Sequence, residues 1–292
     1  MFSSAHSHPP QASSNSQILK FSNSQIYMAV KYLLLCALII VFVGPFFWLV
    51  SIALRGSGNI YSLRLIPEKP TFMNFVETWR KFELWRPFVN SVIVAVASLT
   101  LNVFLASLAA YPLARLKFPG RDLVFFLLLS TMMIPFQLYM IPLFLTCLSL
   151  GLANNLAGIV LPASVGAFGI YLIKQYYHTI PGDLEEAARI DGAGEFAIWW
   201  RIMFPLTKPA IATLAIFTFV GNWSSFLWPL IVIDREDLYT LPVAIAKLSG
   251  AFIDKTQYLA AGSVIAISPV IILFLFMQRY FISGISLGAV KG

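Results

Sequence analysis

Long stretches of this chain contain no charged residue. Residues 123–173 are uncharged over about twice the length that one helix needs to cross a bilayer. Residues 87–114 are also uncharged and are long enough for one crossing. The mean hydropathy of +0.79 and the aromatic content of 15% agree with this pattern. Soluble domains do not contain so much apolar sequence, so the chain is predicted to be an integral membrane protein.

Six transmembrane helices account for these stretches, which makes the predicted fold class all-α and polytopic. The stretch 123–173 must cross twice, and the break is expected at residues 150–155, where one Gly and two Asn favour a turn. The predicted spans are residues 32–54, 88–113, 123–148, 155–173, 209–233 and 258–277. They form one six-span domain, residues 26–292, preceded by a Ser- and Asn-rich tail, residues 1–25, that is predicted to be disordered.

Basic residues in the shortest loops indicate the orientation of the spans. Residues 115–121 hold three Lys or Arg in a very short link, whereas residues 150–155 hold none. Because cytoplasmic loops carry an excess of Lys and Arg, the first link is assigned to the cytoplasm, and six crossings then put both termini there. The net charge of +7 is scattered between apolar blocks, so it does not predict binding to nucleic acid.

One polar segment, residues 181–205, separates the fourth and fifth predicted spans. It carries five of the thirteen acidic residues, which excludes it from hydrocarbon, and the orientation above puts it in the cytoplasm. Two short helices are expected in it, with Asp183 capping the first and with Gly192 and Gly194 forming the turn between them. Small side chains beside acidic groups favour close approach by another protein. An ordinary amphipathic loop between two spans is the alternative.

Within this segment the sequence resembles the EAA signature of ABC importer permeases. That signature is EAA-x3-G-x9-I-x-L-P, and the matching residues are Glu186, Ala187, Ala188, Gly192, Ile202 and Pro205. Phe204 stands where the family usually has Leu, and it keeps the bulk and the apolar character of that position. Three flanking words are similar to the carbohydrate-uptake branch, in particular to the maltose-type second permease: ARIDGA at 188–193, NWSSFLWPL at 222–230 and GAVKG at 288–292.

The resemblance implies the fold of a type I ABC importer permease, embedded in the lipid bilayer of the cell inner (plasma) membrane. In such permeases the EAA segment docks on the ATPase, so the matching residues are implied to couple this chain to ATP hydrolysis. The other implied partners are an ATP-binding cassette ATPase dimer, a second related permease and an extracytoplasmic substrate-binding protein. The implied function is import of a sugar, oligosaccharide or related polyol or glycoside by alternating access.

Several absences agree with that function. The predicted spans contain no Asp, Glu, Lys or Arg, which disfavours ion-coupled carriers and channels. The chain has no Gly-x4-Gly-Lys-[Ser/Thr] loop, so it is expected to hold no cofactor, and ATP–Mg is assigned to the partner ATPase. The chain is therefore predicted to be a transport subunit and not an enzyme. A permease for another small polar solute and an ATP-independent facilitator are the alternatives.

Four residues of the fifth predicted span are candidates for the substrate path, because hydroxyl-rich ligands bind to amides, hydroxyls and aromatic faces. They are Asn222, Trp223, Ser224 and Ser225. The alternative for Asn222 is a hydrogen bond to a neighbouring helix. Gln137 and Tyr139 of the third span either face the same path or only pack. No metal site is expected, since His6 and His8 have no further ligands near them in the sequence.

Overall fold

The computed structural model describes residues 14–56, 66–251 and 256–289. In chain order the elements are α1 (Ser14–Ala53), α2 (Met73–Lys81), α3 (Trp85–Arg115), α4 (Arg121–Thr131), α5 (Phe136–Ser149), α6 (Ala157–Val160), α7 (Ala167–Tyr177), α8 (Asp183–Ile190), α9 (Glu195–Ile198), a π-helix (Trp199–Met203), α10 (Phe204–Leu206), α11 (Lys208–Trp223), α12 (Leu227–Val232), a 3-10 helix (Glu236–Leu238), α13 (Leu241–Ala251) and α14 (Thr256–Ala289). The described residues contain no strand beyond one isolated bridge between Arg55 and Pro70. The predicted all-α class is therefore confirmed for this part of the chain.

Three helices are continuous and apolar over a length that crosses a membrane. They are Tyr27–Ala53, Trp85–Arg115 and Thr256–Met277, and they correspond to the first, second and sixth predicted spans. Two pairs of helices meet the same criteria when each pair is taken together. These are α4 with α5, bent by 99°, and Glu195–Leu206 with α11, bent by 78°. The described residues therefore hold three spans, or up to five if each bent pair counts as one.

Three of the predicted spans are interrupted in the structure. The third contains the bend at residues 132–135 between α4 and α5. The fourth, residues 155–173, is divided into α6 and α7 by residues 161–166, and the fifth is broken at residues 224–226 between α11 and α12. Pro162 lies in the second interruption, where it has no backbone N–H to donate to a helix. These interruptions contain no charged residue, so a prediction from hydropathy alone does not detect them.

The amino-terminal tail differs in part from its prediction. Residues 1–13 lie outside the described residues, but residues 14–25 belong to α1, which begins at Ser14. Extending an existing helix is easier than starting one, so polar residues next to a long apolar helix can continue it. The expectation of a disordered tail is therefore wrong for residues 14–25.

Helix α3 packs against α4, α6, α7, α11 and α13, which makes it central to the bundle. Small residues repeat every four positions along it and are all buried: Ser98, Asn102, Ala106, Ala110 and Ala114. Gly169 of α7 contacts this stripe so closely that a Cβ would lie 2.9 Å from Asn102 Oδ1 and 3.1 Å from the Ala106 Cβ. The close contact fixes α3 against α7, and the polar segment is attached to α3.

Candidate functional site

The first half of the polar segment is helix α8, Asp183–Ile190, which has two different faces. One face exposes Glu186 and Ala187, and Ala188 is half-buried beside them. Glu185 lies on the opposite face and is only 2% exposed. Glu186 and Ala187 are therefore accessible to a partner, whereas Ala188 packs partly against the bundle and the acid that precedes them faces the protein.

Glycines flank both ends of α8. Asp183 is the first residue of the helix, and Gly182 precedes it without a side-chain cap, so the predicted capping by Asp183 is wrong. At the other end Gly192 has φ +84°, a left-handed conformation that favours glycine. Two backbone N–H groups after the helix donate to carbonyls of its last turn at 3.0 and 2.9 Å, which completes a Schellman ending. The predicted turn at Gly192 is present.

The second half of the segment is helical over Glu195–Leu206 and includes the π-helix Trp199–Met203. A π-helix inserts an extra residue into a turn and so changes which side chains share a face. Trp199 is fully buried in the cluster that surrounds α3. Ile202 packs against the same cluster and is half-buried, while Pro205 is exposed.

A buried ion pair holds α8 against α3. Arg115 Nε lies 2.7 Å from Glu185 Oε1, although the two atoms lack the alignment of a hydrogen bond. Arg115 Nη2 also donates to the Ile180 carbonyl oxygen, just before α8. A carboxylate buried without a cation is strongly unfavourable, so the position of Glu185 depends on this partner.

A second set of polar contacts holds the other half of the segment. Arg189 donates to both carboxylate oxygens of Glu195, at 2.8 and 3.2 Å, and lies 3.5 Å from Glu185. The Tyr111 hydroxyl of α3 donates to Glu195 Oε2 at 2.6 Å. Helix α3 therefore contacts both halves of the segment. We name the linked side chains the anchor ring: Tyr111, Arg115, Glu185, Arg189 and Glu195.

The two carboxyl groups of the anchor ring differ in acidity. Burial raises the pKa of Glu185, and the positive charges of Arg115 and Arg189 oppose that shift. Hydrogen bonds from Arg189 and Tyr111 lower the pKa of Glu195 below its usual value. As the pH falls, Glu185 therefore takes up a proton before Glu195, and its pair with Arg115 is the first contact of the ring to weaken.

An uncharged contact lies one turn further along α3. Trp199 Nε1 donates to Ser107 Oγ at 3.1 Å, and the hydroxyls of Ser107 and Tyr177 lie 2.7 Å apart. All three side chains are fully buried. Contacts at positions 107, 111 and 115 share one face of a helix, because they are four residues apart. One face of α3 therefore holds the whole segment over two helical turns.

The EAA residues are recognisable in the sequence, whereas the anchor ring was not predicted. A signal for it exists in the spacing of Ser107, Tyr111 and Arg115, which places a hydroxyl, a phenol and a guanidinium on one face of an apolar helix. Polar residues in such a helix usually have a partner inside the protein. The spacing indicates that a partner exists, but only the fold identifies it as the acidic segment.

The second region of interest is a groove where three helix interruptions meet. Its volume is about 400 Å³. Phe136 and Gln137 line it just after the bend between α4 and α5. Pro162 and Ala163 line it from the interruption between α6 and α7, and Ser225 and Phe226 from the break between α11 and α12. In membrane proteins irregular backbone is tolerated where it lines a cavity, and broken helices commonly form the substrate sites of transporters. The groove is therefore the candidate substrate site.

Two of the four substrate-path candidates line this groove. They are Asn222 and Ser225, and Gln137 and Tyr139 line it with them. The side-chain amide of Asn222 donates to the Thr218 carbonyl of its own helix at 2.8 Å and not to a neighbouring helix.

The other two candidates lie outside the groove. Trp223 is buried, and its Nε1 donates to the Ala266 carbonyl of α14 at 2.8 Å. Its ring packs against Phe88 and Phe219, with centroids 5.7 and 5.6 Å away. Ser224 is exposed at the end of α11. The structure therefore gives Trp223 a packing position and leaves Ser224 at a helix end.

Within residues 14–56, 66–251 and 256–289, no three His, Cys, Asp or Glu side chains lie close enough together to hold a metal ion. His6 and His8 lie outside these residues.

Comparison with known proteins identifies the family of this chain. Residues 102–287 match the family described as binding-protein-dependent transport system inner membrane component. The arabinooligosaccharides transport system permease protein AraQ of Halalkalibacterium halodurans is 39% identical over 235 residues, which are 80% of this chain and 84% of that protein. The melibiose/raffinose/stachyose import permease protein MelC of Bacillus subtilis is 37% identical over 251 residues, which are 85% of this chain and 91% of that protein.

The fold is shared with a solved transporter. The solved structure is the crystal structure of a bacterial ABC transporter involved in the import of the acidic polysaccharide alginate. One of its chains superposes on this one with a TM-score of 0.74 and 27% sequence identity. The match covers 94% of this chain and 100% of that chain. The predicted type I permease fold is thereby confirmed, and the relatives are named as transport permeases, in line with a transport subunit and not an enzyme. The matched residues include the anchor ring and the groove. This chain therefore belongs to the inner membrane components of binding-protein-dependent transport systems, the permeases of ABC importers.

Proposed function

We propose that this chain is one permease subunit of an importer for a sugar, an oligosaccharide or a related polyol or glycoside. An ATP-binding cassette ATPase dimer supplies the energy, and a second related permease completes the pore. A substrate-binding protein outside the membrane delivers the solute. This chain holds no nucleotide of its own, and ATP with Mg²⁺ binds to the ATPase subunits.

The two faces of α8 are the observation that carries this proposal. One face is attached to α3 through buried Glu185, and the other exposes Glu186 and Ala187. A firmly held helix with small and acidic side chains on its free face is suited to enter a cleft in another protein. The proposed docking residues are Glu186, Ala187, Ala188 and Gly192, with Ile202 and Pro205 shaping the second half.

Charge supports a cytoplasmic location for this docking face. The link between α3 and α4, residues 116–120, adjoins α8 because Arg115 contacts Glu185. The link contains Lys117 and lies between two Arg residues, a pattern that favours the cytoplasmic side. The docking face then lies on the side where the ATPase binds. With α6 and α7 together counted as a sixth crossing, both termini lie there as well.

The chemistry of the groove supports a saccharide as the solute. Gln137 and Asn222 contribute amides, Tyr139 and Ser225 contribute hydroxyls, and Phe226 contributes an exposed aromatic ring. Amides and hydroxyls bind sugar hydroxyls, while aromatic faces pack against the C–H surfaces of the sugar ring. The relatives named for arabinooligosaccharides and for melibiose, raffinose and stachyose transport compounds of this class.

Transport follows alternating access in this proposal. ATP-driven closure of the ATPase dimer draws the docking faces of the two permeases together and turns their spans toward the outside. The binding protein then releases the solute into the groove, and ATP hydrolysis returns the spans toward the cytoplasm. Each step requires only that the ATPase binds the two conformations of the permease with different affinity.

Reconstitution tests this function. The chain is purified in mild detergent with the proteins that accompany it, and the complex is placed in proteoliposomes and assayed with a panel of labelled oligosaccharides. We expect uptake that requires both internal ATP and the binding protein. Equal uptake without ATP supports the facilitator, and ATP-dependent uptake of an amino acid or phosphate without saccharide uptake supports a permease for another solute.

A further inference from the structure

We propose that the anchor ring transmits movement of the docking face to the transmembrane helices, with Arg115 and Glu185 as its positioning residues. This inference rests on the proposed function, since it concerns coupling to an ATPase. It goes beyond the EAA signature, because none of the ring residues belongs to that signature.

The ring begins and ends on α3. Tyr111 contacts Glu195 in the second half of the segment, and Arg115 contacts Glu185 in the first half. Arg189 connects the two carboxylates, since it lies 2.8 Å from Glu195 and 3.5 Å from Glu185. Two contacts one turn apart resist rotation of the segment better than a single contact does, so displacement of either half is passed to α3.

Adjacent glutamates have separate tasks in this arrangement. Glu186 is exposed, whereas Glu185 is buried against Arg115. The attraction within a buried ion pair is little screened by salt. Separating Arg115 from Glu185 removes the closer of the two cations that face this buried carboxylate, which is strongly unfavourable. Glu186 is therefore suited to face the ATPase, while Glu185 holds α8 on α3.

Helix α3 also reaches the groove. Asn102 lies on α3 beyond the ring, and its side-chain amide nitrogen lies 3.5 Å from the Ala163 carbonyl oxygen. Ala163 belongs to the interruption between α6 and α7 and lines the groove. One helix therefore contacts the docking segment near one end and a wall of the groove farther along, which gives a direct structural connection between them.

The test measures solute transported per ATP hydrolysed by the complete complex in proteoliposomes. Tyr111→Phe removes only the hydroxyl that donates to Glu195, and Glu185→Gln removes the charge that faces Arg115. We expect both complexes to assemble and to hydrolyse ATP, with the ratio reduced about threefold by Tyr111→Phe and further by Glu185→Gln. A merely structural role would change the amount of complex and leave the ratio per complex unaltered.

Two further variants sharpen the test. Glu186→Gln removes the same charge from the exposed face, so it should lower ATP hydrolysis and transport together and preserve their ratio. Arg115→Gln combined with Glu185→Gln removes both charges of the pair. The double variant should lower the ratio by less than the sum of the two single effects, as expected for two residues that interact directly.

Different results overturn different conclusions. If Tyr111→Phe and Glu185→Gln complexes transport with the unaltered ratio, the role of the anchor ring is wrong and the proposed function stands. If the unaltered complex shows no ATP-dependent uptake, both conclusions are wrong. If Glu185→Gln reduces only the amount of complex, the Tyr111→Phe complex becomes the deciding test. An unchanged number of solute molecules transported per ATP in that complex overturns the inference.

Discussion

The docking segment and the groove hold their polar groups in different ways. In the segment, charged groups pair between separate elements, as Glu185 does with Arg115. In the groove, the amide of Asn222 donates within its own helix, and the walls come from helix interruptions. The segment thus has firmly paired side chains on a regular helix, whereas the groove combines irregular backbone with uncharged polar side chains.

This contrast separates two tasks of a permease. Buried charge pairs resist displacement, because separating them leaves a charge without a partner in a low-dielectric environment. Uncharged groups on broken helices rearrange more easily, which suits binding and release of a solute. Changes in the segment should therefore alter the link to the ATPase, and changes in the groove should alter the affinity for solute.

Gly192→Pro should have the largest effect. Gly192 has φ +84°, and its N–H donates to the Arg189 carbonyl at 3.0 Å. Proline holds φ at about −65° and has no N–H, so it cannot form this turn. We expect ATP-dependent uptake to be abolished while membrane insertion is retained, because the change distorts the segment without touching a span. Uptake by proteoliposomes and the amount of inserted protein provide the two measurements.

A pair of alanine variants controls for the loss of glycine itself. A Cβ would meet no atom within 4 Å at either Gly182 or Gly192, but Gly182 has an ordinary φ of −68°. Gly192→Ala should reduce uptake, since the left-handed conformation costs other residues about 1–2 kcal/mol. Gly182→Ala should keep it. Equal uptake by the two variants would contradict the importance of the turn.

Glu186→Lys should have the next largest effect, because it reverses the charge at the centre of the exposed face. If Glu186 meets a cationic group of the ATPase, the reversal brings like charges together, which weakens an interface by several kcal/mol. We expect co-purification of the ATPase to fall at least about tenfold, since each factor of ten corresponds to about 1.4 kcal/mol. The ATPase recovered per permease in mild detergent is the measurement.

Asp191→Lys makes the same change of charge at another exposed position of the segment, outside the EAA residues. It should leave most of the ATPase bound. Equal losses in the two variants would show that net charge, and not docking by Glu186, determines the association.

The sequence predicts the two regions to different extents. The EAA residues and the turn at Gly192 have local signals: residue type, spacing and the need for glycine at a positive φ. Of these, the turn is present in the structure. The pair of Arg115 with Glu185 was not found, because it joins residues far apart in the chain and depends on how α3 and α8 pack. A buried acid and an exposed acid next to it look alike in sequence.

For the groove, the sequence identified useful residue types without their directions. Hydropathy predicts a continuous fifth span and not the break at residues 224–226, and side chains on either side of a break no longer follow one helical phase. Asn222 and Ser225 consequently line the groove, while Trp223 packs against α14 instead. Residue chemistry alone cannot decide which side chains share a face when the backbone changes course.

Trp199→Phe should have a moderate effect on the attachment of the segment. Phenylalanine keeps an aromatic ring but loses the Nε1–H that donates to Ser107 at 3.1 Å in a fully buried site. Loss of such a hydrogen bond should lower the free energy of unfolding by about 1–3 kcal/mol. Thermal denaturation of the purified complex in detergent measures the effect.

Trp200→Phe is the control, because Trp200 is 47% exposed. It should shift the denaturation midpoint far less. Equal shifts would indicate that the indoles act alike and that the Ser107 contact does not hold the segment.

Ser225→Ala should have the smallest effect, and it tests the other side of the contrast. Ser225 lines the groove, whereas the adjacent Ser224 is exposed outside it. Loss of one uncharged hydrogen bond to a saccharide should raise the KM for uptake about threefold, because such a bond contributes about 0.5–1.5 kcal/mol. Ser224→Ala should leave KM unchanged, and neither variant should alter the solute transported per ATP. A change in that ratio for Ser225→Ala would mean that the groove takes part in coupling, and the separation of tasks between the two regions would fail.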